Sequence, residues 1–434
     1  MTGDDIARQV REVAAEVTRR LSTAASDTDQ GPAAGKEYRA LARRVIRQVL
    51  DERAGRALAA GQRVPDRSVE ESIARQVLAR VSGLGPLEEL LAEEDIENIN
   101  LTGRNVWVRY ADGRREQRAP IVDTAEELVV LVRRIAADSP AGERRFDPAA
   151  PILDMVLPDG SRLNAILDVS HIPVVSIRRH RYRTVGLGQL KRLGTLDAVL
   201  VDLLRAAVLA RRNIVITGGT GAGKTTLLRA LAAEIPPDER LVTIEDVPEL
   251  GLERDVDAHP DAVALHARPA NTEGQGAVTV ADLVRAALRM SPDRVIVGET
   301  RGSETVPLLT AMSQGNDGSL TTLHAPDSQG AFTKFGAYAA LADGLPLEAT
   351  SLLVAAAVHL VVHVSATPAG ERRVTSVREV AGADGRQVVS NEIYSPGGRC
   401  APPSPTTAAV LAEAGFDAAR LVSAGAVNGS RRAR

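Results

Sequence analysis

The sequence predicts an α/β protein, built on a parallel sheet that carries a phosphate-binding loop and preceded by a smaller α+β domain and a helical N-terminal extension. Three observations carry this expectation. From Thr195 to about Val364, apolar strand-like runs alternate with helical stretches, the pattern of a parallel sheet covered on both faces. Within that region the apolar, β-branched run Asn213 to Thr217 leads into a glycine-rich nonapeptide, Gly218 to Thr226, and then into the helix-forming stretch TLLRALAAE. Upstream, short alternating runs between Ile99 and Arg178 are separated by turn signals and one helix.

Taken in chain order, Ile6, Val10, Val13, Val17 and Leu21 recur at three- and four-residue spacings, so residues 1–21 read as an amphipathic helix. Residues 22–37 are small, polar and Gly/Pro-containing and read as a flexible linker. Residues 38–83 hold two helical stretches and end at GLGP. The α+β domain occupies 84–180: runs at Ile99 to Leu101 and Asn105 to Tyr110, a helix from about Thr124 to Ala137, then strands on either side of the Pro158-Asp159-Gly160 turn. Residues 181–194, glycine-bearing and polar, read as an interdomain hinge, and 195–395 as the phosphate-binding domain. Residues 396–434 include PGGRCAPPSPTT and the basic end SRRAR, and read as a mobile tail with a short helix near Thr407 to Ala414.

Composition narrows the function classes. A chain of 434 residues with 44% hydrophobic content can bury full cores in two or three domains. Lys+Arg 53 against Asp+Glu 56 leaves a net charge of -3, which argues against nucleic acid as the main substrate without excluding a local basic groove. The one cysteine, Cys400, permits no internal disulfide and fits a reducing compartment. The N-terminus carries no signal pattern, and the most apolar run, Leu352 to Val364, is too short to span a bilayer. A cytoplasmic protein that reaches a membrane through partners is the expectation.

The chemistry centres on Gly218, Gly219, Thr220, Gly221, Ala222, Gly223, Lys224, Thr225 and Thr226, a match to G-x-x-x-x-G-K-[ST] in its strand-to-helix context. The glycines let successive N–H groups turn toward phosphate oxygens, and the following helix adds its N-terminal dipole. Lys224 supplies charge to the outer phosphates, and the Thr225 hydroxyl is the expected ligand of magnesium, so ATP and Mg2+ are the implied cofactors. Later strands end in polar groups where ligands bind in parallel sheets: Leu241 to Ile244 in Glu245, Asp246 and Glu249, Arg294 to Val297 in Gly298-Glu299, and Ser319 to Leu323 in His324. Glu299 can polarise an attacking water, and His324 can sense the γ-phosphate. Gly298 stands where many such ATPases carry a metal-binding aspartate.

The four ordered elements GGTGAGKTT, LVTIEDVPEL, LRMSPDRVIVGETRG and GSLTTLHA resemble the Walker A, Asp box, Walker B and His box of type II/IV secretion ATPases. Among these they look most like the tight-adherence (Flp) pilus ATPases of CpaF/TadA type. GPLEELLAEEDIENINLTG, LPDGSRLNAILD and VVSIRR are similar to that family's N-terminal domain, and the resemblance covers about Leu84 to Val380. It implies a RecA-like ATPase domain, a ring of six identical subunits and an inner-membrane platform protein as partner. It also implies roles: Glu299 as the Walker B glutamate, His324 as the His-box histidine, and Glu245 with Asp246 and Glu249 as the Asp box. Glu245 and Glu299 both remain candidates for the principal base, each contacting the metal through water. Arg178 and Arg179 match basic positions where the N-terminal domain meets nucleotide, and Arg285, Arg289 and Arg301 are further candidates. The resemblance implies a motor for a pilus or a type II secretion apparatus. Two other readings use the same residues: a conjugative DNA-transfer ATPase, and a nucleotide-switched scaffold with little turnover.

Overall fold

The structure, a computed structural model, describes residues 3–26, 35–61, 66–81, 84–137, 145–179, 185–268, 270, 275–367, 370–396 and 401–421. The chain forms two compact units, Met1–Arg181 and Tyr182–Arg434.

The first unit opens with three helices, α1 (Gly3–Ser26), α2 (Gly35–Ala59) and α3 (Arg67–Val81). The stripe Val10, Val13, Val17 and Leu21 of α1 packs with Ala42, Val45, Ile46 and Val49 of α2 and with Ile73, Val77 and Val81 of α3 in one buried cluster. This corrects the expectation of a lone helix followed by a linker over 22–37. The α1 helix continues through Ser26 and α2 begins at Gly35, because Ala24 and Ala25 favour helix and extend the amphipathic stripe's helix past Leu21. The centre of that segment, 27–34, lies outside the described residues.

The rest of the unit is a six-stranded antiparallel sheet with α4 (Leu87–Ala92) and α5 (Ala125–Ala137). Its strands are β1 (Ile96–Thr102), β2 (Asn105–Tyr110), β3 (Arg115–Arg118), β4 (Ile152–Val156), β5 (Arg162–Ile166) and β6 (Val174–Arg178), in the order β3-β2-β1-β6-β5-β4. Strict alternation places Ile99, Leu101, Val106, Val108, Leu163, Ala165, Val175 and Ile177 on the face that packs against Leu128, Leu131, Val132 and Ile135 of α5. The other face mixes polar side chains such as Asn98, Arg109 and Arg178 with apolar ones such as Ile152, Ile166 and Val174.

The second unit begins with α6 (Leu187–Arg192) and α7 (Ala198–Leu209), followed by β7 (Ile214–Gly218), α8 (Lys224–Ala232), β8 (Leu241–Glu245), β9 (Ala262–His266) and α9 (Val280–Ala287). It continues with β10 (Arg294–Thr300), α10 (Thr305–Ser313), β11 (Leu320–His324), α11 (Gly330–Asp343), α12 (Leu347–Ala357) and β12 (Leu360–Ala366). It closes with β13 (Arg372–Asp384), β14 (Gln387–Tyr394) and α13 (Pro405–Glu413). The sheet order is β14-β13-β12-β7-β11-β10-β8-β9; β7 to β12 run parallel, and at one edge β13 pairs antiparallel with β12 and β14 antiparallel with β13. In β7, Ile214 and Ile216 face the cluster of α7 and α8, and Val215 faces that of α9 to α12, so both faces are buried and the strand reads as a continuous apolar run. The α/β expectation therefore holds.

Of the segment 181–194, residues 181–184 lie outside the described residues, and in the remainder Val185, Leu187 and Leu190 are buried in the core of the second unit. Their spacing hides among polar neighbours in the composition. The segment 396–434 is likewise not simply a tail, because Leu411, Phe416 and Leu421 bury in that same core. Ser404 caps α13 by accepting from the Thr407 amide, with Pro405 in the first turn, and its hydroxyl donates to the buried carboxylate of Glu379 at 2.5 Å. Residues 422–434 lie outside the described residues. Among the described residues no single helix is long and apolar enough to cross a membrane.

Because α1 supplies Val10, Val13, Ala14, Val17 and Leu21 to the bundle's buried cluster, deleting residues 1–36 exposes the faces of α2 and α3 that it covers. Hydrogen exchange is expected to show the α2 and α3 amides losing protection while those of β7 to β12 keep theirs. Unchanged protection in α2 and α3 would show that the bundle does not need α1.

Candidate functional site

The centre of the second unit's sheet builds the site. Strand β7 is held between β11 and β12, with Gly218 in register with His324 on one side and Val364 on the other. A Cβ on Gly218 would run into the carbonyl of Val364, so only glycine lets the chain leave the sheet here. The turn ends at Gly223, whose φ of 97° is left-handed, and α8 starts at the next residue, aiming its free N–H groups at the loop. Gly219, Thr220 and Gly221 are exposed, Ala222 is buried, and Thr225 and Thr226 are half-buried on the first turn of α8.

Lys224 is buried, and its Nζ donates to the carbonyl of Gly219 at 3.0 Å and lies 3.2 and 3.3 Å from the two ring nitrogens of His324. His324 Nε2 is 3.1 Å from Glu299 Oε1, and Arg301 Nε is 3.9 Å from Glu299 Oε2. Arg301 Nη2 in turn donates to Asp246 Oδ2 at 2.6 Å. Burial, followed by the charge of Lys224, holds the His324 imidazolium below its ordinary pKa, so the ring is neutral at pH 7. The ring lies between an ammonium and a carboxylate, within hydrogen-bond distance of both.

Glu245, at the end of β8, has a different environment. Its carboxylate is 6% exposed and accepts from the amides of Glu249 at 3.0 Å and Leu250 at 3.1 Å. Burial pushes its pKa up to about 7 against the pull of those two amides. A Cβ on Gly298 would lie 2.9 Å from Glu245 Cγ, so Gly298 of β10 is the space into which Glu245 packs. Asp246 is exposed and Glu249 half-buried beside it.

The structure thus brings Lys224, His324, Glu299, Arg301 and Asp246 into one chain of contacts and leaves Glu245 tucked behind it. Arg285 is exposed on α9, where it pairs with Asp282 at 3.5 Å, and Arg289 is exposed just after the helix ends. Arg178 and Arg179 belong to the first unit. Arg178 is exposed at the end of β6, and the Arg179 guanidinium donates to the backbone carbonyl of Glu93.

Three contributors escaped the sequence reading. Arg372, at the start of β13, donates from Nε to the Gly221 carbonyl at 3.1 Å and lines the loop. His363 of β12 bonds Thr217 Oγ1 at 2.9 Å, just before the loop, with its pKa lowered by burial. Asn213, fully buried at the foot of β7, is described below. The one signal for Arg372 is the hairpin that returns alongside β12, the strand that abuts Gly218. Among the described residues no group of three His, Cys, Asp or Glu is placed to hold a metal unaided. The oxygen donors present, the Thr225 hydroxyl and the partly exposed Glu299 carboxylate, suit a hard cation that arrives with phosphates.

A glycine loop closed by a helix N-terminus, with lysine, glutamate and histidine converging on it, has the strand-loop-helix geometry of the P-loop pattern. Residues 81–395 match the type II/IV secretion system protein family, and the chain belongs to it. A Mycobacterium tuberculosis protein named for conjugal transfer is 38% identical over 322 residues, covering 72% of this chain and 88% of its own. The type IV secretion system protein PtlH of Bordetella pertussis is 35% identical over 271 residues, covering 56% and 76%. Among solved structures, the VirB11 ATPase of the Brucella suis type IV secretion system, in complex with sulphate, is 29% identical with a TM-score of 0.36, covering 67% of this chain and 94% of that one.

The Glu245 environment makes stability depend on pH. The folded protein holds this proton up to about pH 7, and the unfolded chain releases it near the ordinary value of 4.5. The contribution is therefore complete below the unfolded value and lost as pH rises through the folded one; a shift of this size corresponds to about 3 kcal/mol. Denaturant unfolding of nucleotide-free protein is expected to show wild type losing stability relative to Glu245→Gln between about pH 5 and pH 8. Parallel pH profiles would show that Glu245 is not held protonated.

Proposed function

We propose that the second unit binds ATP with magnesium and hydrolyses it, and that this drives a pilus or secretion machine from the cytoplasmic face of the inner membrane. The observation that carries this reading is the continuous path from Lys224 through His324 to Glu299, placed at the mouth of the loop and the N-terminus of α8. In the nucleotide-free protein Lys224 is held by Gly219 and His324; a triphosphate offers it a stronger partner, so binding frees His324 to face the γ-phosphate. Glu299, partly exposed and hydrogen-bonded by neutral His324, is the carboxylate suited to accept a proton from an attacking water. Glu245 is a poorer base in this conformation, because two amides occupy its oxygens and it holds its own proton to about pH 7. Magnesium neutralises phosphate charge when bound; the Thr225 hydroxyl would hold it, with Glu299 and Glu245 reaching it through water.

The motor reading extends to a ring. A site at the edge of an open sheet leaves the γ-phosphate accessible to a neighbouring copy, and a head-to-tail contact closes into a ring. The proposal is a homohexamer docked on an inner-membrane platform protein, with Arg178, Arg179 or Arg301 completing the phosphate site. The match of motifs supports a tight-adherence pilus machine, and the likeness to proteins named for type IV secretion and conjugal transfer supports the second reading, a transfer ATPase of the same family.

Phosphate release and nucleotide binding separate the roles. Lys224→Ala is expected to abolish turnover in a folded protein, whereas Glu299→Gln keeps ATP binding and loses turnover by about 10²- to 10⁴-fold. Normal turnover in Glu299→Gln would remove Glu299 as the base, and normal turnover in Lys224→Ala would remove the phosphate-binding assignment.

A further inference from the structure

The second unit holds a cavity that stands apart from the glycine loop. Its volume is about 400 Å³, within the range of small-molecule sites, and none of the residues 218–226 lines it. Three segments wall it: α6 with the residue that leads into it, Arg229 and Ala233 of α8, and the chain from Leu250 to His259 that follows the Asp box. Gly186 and Gly188 keep one wall low, because a Cβ on either would meet nothing within 4 Å.

The lining sets charged groups over an apolar floor. Val185, Leu250 and Leu252 belong to the buried core of the unit and also face the cavity. Arg192, exposed in the last turn of α6, and Arg229 both line it, against one carboxylate, Asp255, whose Oδ1 already accepts from the Ala258 amide at 3.2 Å. Positive charge therefore exceeds negative among the lining residues. His259 adds an independent sign of a ligand. It is 4% exposed, burial keeps its ring neutral, and Nδ1 has no hydrogen-bond partner among the described residues. Buried polar atoms are nearly always satisfied, so an orphan ring nitrogen in a cavity wall calls for a partner from outside the chain.

We propose that this cavity binds a small organic anion, a carboxylate or phosphate monoester carrying an apolar group, and that the ligand steadies the Asp-box loop. The anion meets Arg192 and Arg229, the neutral His259 ring donates from Nδ1 to a ligand oxygen, and the apolar group covers Leu250 and Leu252. Leu250 makes the position regulatory: its amide donates to Glu245, so a ligand against its side chain bears on the carboxylate at the end of β8. That consequence rests on the reading of Glu245 as part of the nucleotide site; the binding itself does not.

Phenyl phosphate and benzoate are the probes, titrated by calorimetry into the nucleotide-free full chain, with benzamidine as a cation of similar shape. At least one of the two anions is expected to bind saturably, the tighter naming the acid class, and benzamidine is not. Arg192→Ala, at an exposed position, should weaken that binding about 10-fold or more, the loss of one charged hydrogen bond. Bound anion should also slow hydrogen exchange at the amides of 249–252, and a saturating non-hydrolysable ATP analogue should leave the anion in place. A chain that binds the anion but no ATP analogue would keep this site while failing the nucleotide reading. No saturable binding of either anion, benzamidine binding as tightly, or an affinity unchanged in Arg192→Ala would overturn the proposal. So would displacement by the ATP analogue, which would put the anion on the 218–226 loop. Exchange at 249–252 unaltered by bound anion would overturn the regulatory role.

Discussion

Asn213 sets where everything in the second unit stands. It is fully buried at the foot of β7, and its side-chain oxygen accepts from the amides of Gly318 and Ser319, at 2.8 and 2.9 Å, while its side-chain nitrogen donates to the carbonyls of Met312 and Ala357. Its backbone amide meets His359 Nδ1 at 2.9 Å. One amide side chain thus ties β7 to the segments that enter both of its neighbours, β11 and β12. A buried side chain with all its polar atoms satisfied specifies position strongly, because any slip leaves several groups unpaired. With the register fixed at this end, Gly218 arrives beside His324 and Val364 at the other, and the loop leaves the sheet where a histidine and an open glycine surface await it.

The electrostatics of the site follow from that placement. Lys224, at the C-terminal ends of the central strands, meets the Gly219 carbonyl and the His324 ring. The negative charge lies one group further on, at Glu299, and is shared with Arg301, which is itself paired to Asp246. Glu245 is withdrawn from this chain by burial, and Gly298 makes the room it needs. The loop lysine and the Glu299 carboxylate are thereby linked through one side chain, His324.

Much of this was legible in the sequence for a local reason. The glycine loop, its strand and its helix are contiguous, and the strand-end residues Glu245, Glu299 and His324 follow apolar runs that announce themselves. What was not legible depends on register between distant segments: Lys224 and His324 are 100 residues apart, Thr217 and His363 are 146, and Arg372 reaches Gly221 across 151. In segments 181–194 and 396–434 a polar composition conceals sparse apolar residues, Val185, Leu187, Phe416 and Leu421, whose burial needs partners elsewhere in the chain. Gly298 was noticed as an oddity at a metal position; its packing against Glu245 is a finding of the fold.

The central claim is that Lys224 is held in reserve by His324 and Gly219 and is handed to phosphate when nucleotide arrives. A crystal structure with magnesium and a non-hydrolysable ATP analogue tests it most directly. The account predicts phosphates cradled by the 218–226 backbone, Lys224 Nζ within hydrogen-bond distance of the outer phosphate oxygens, and its present contacts to the Gly219 carbonyl and the His324 ring broken. Nucleotide bound away from this loop, or bound in it with Lys224 still on Gly219 and His324, would contradict it.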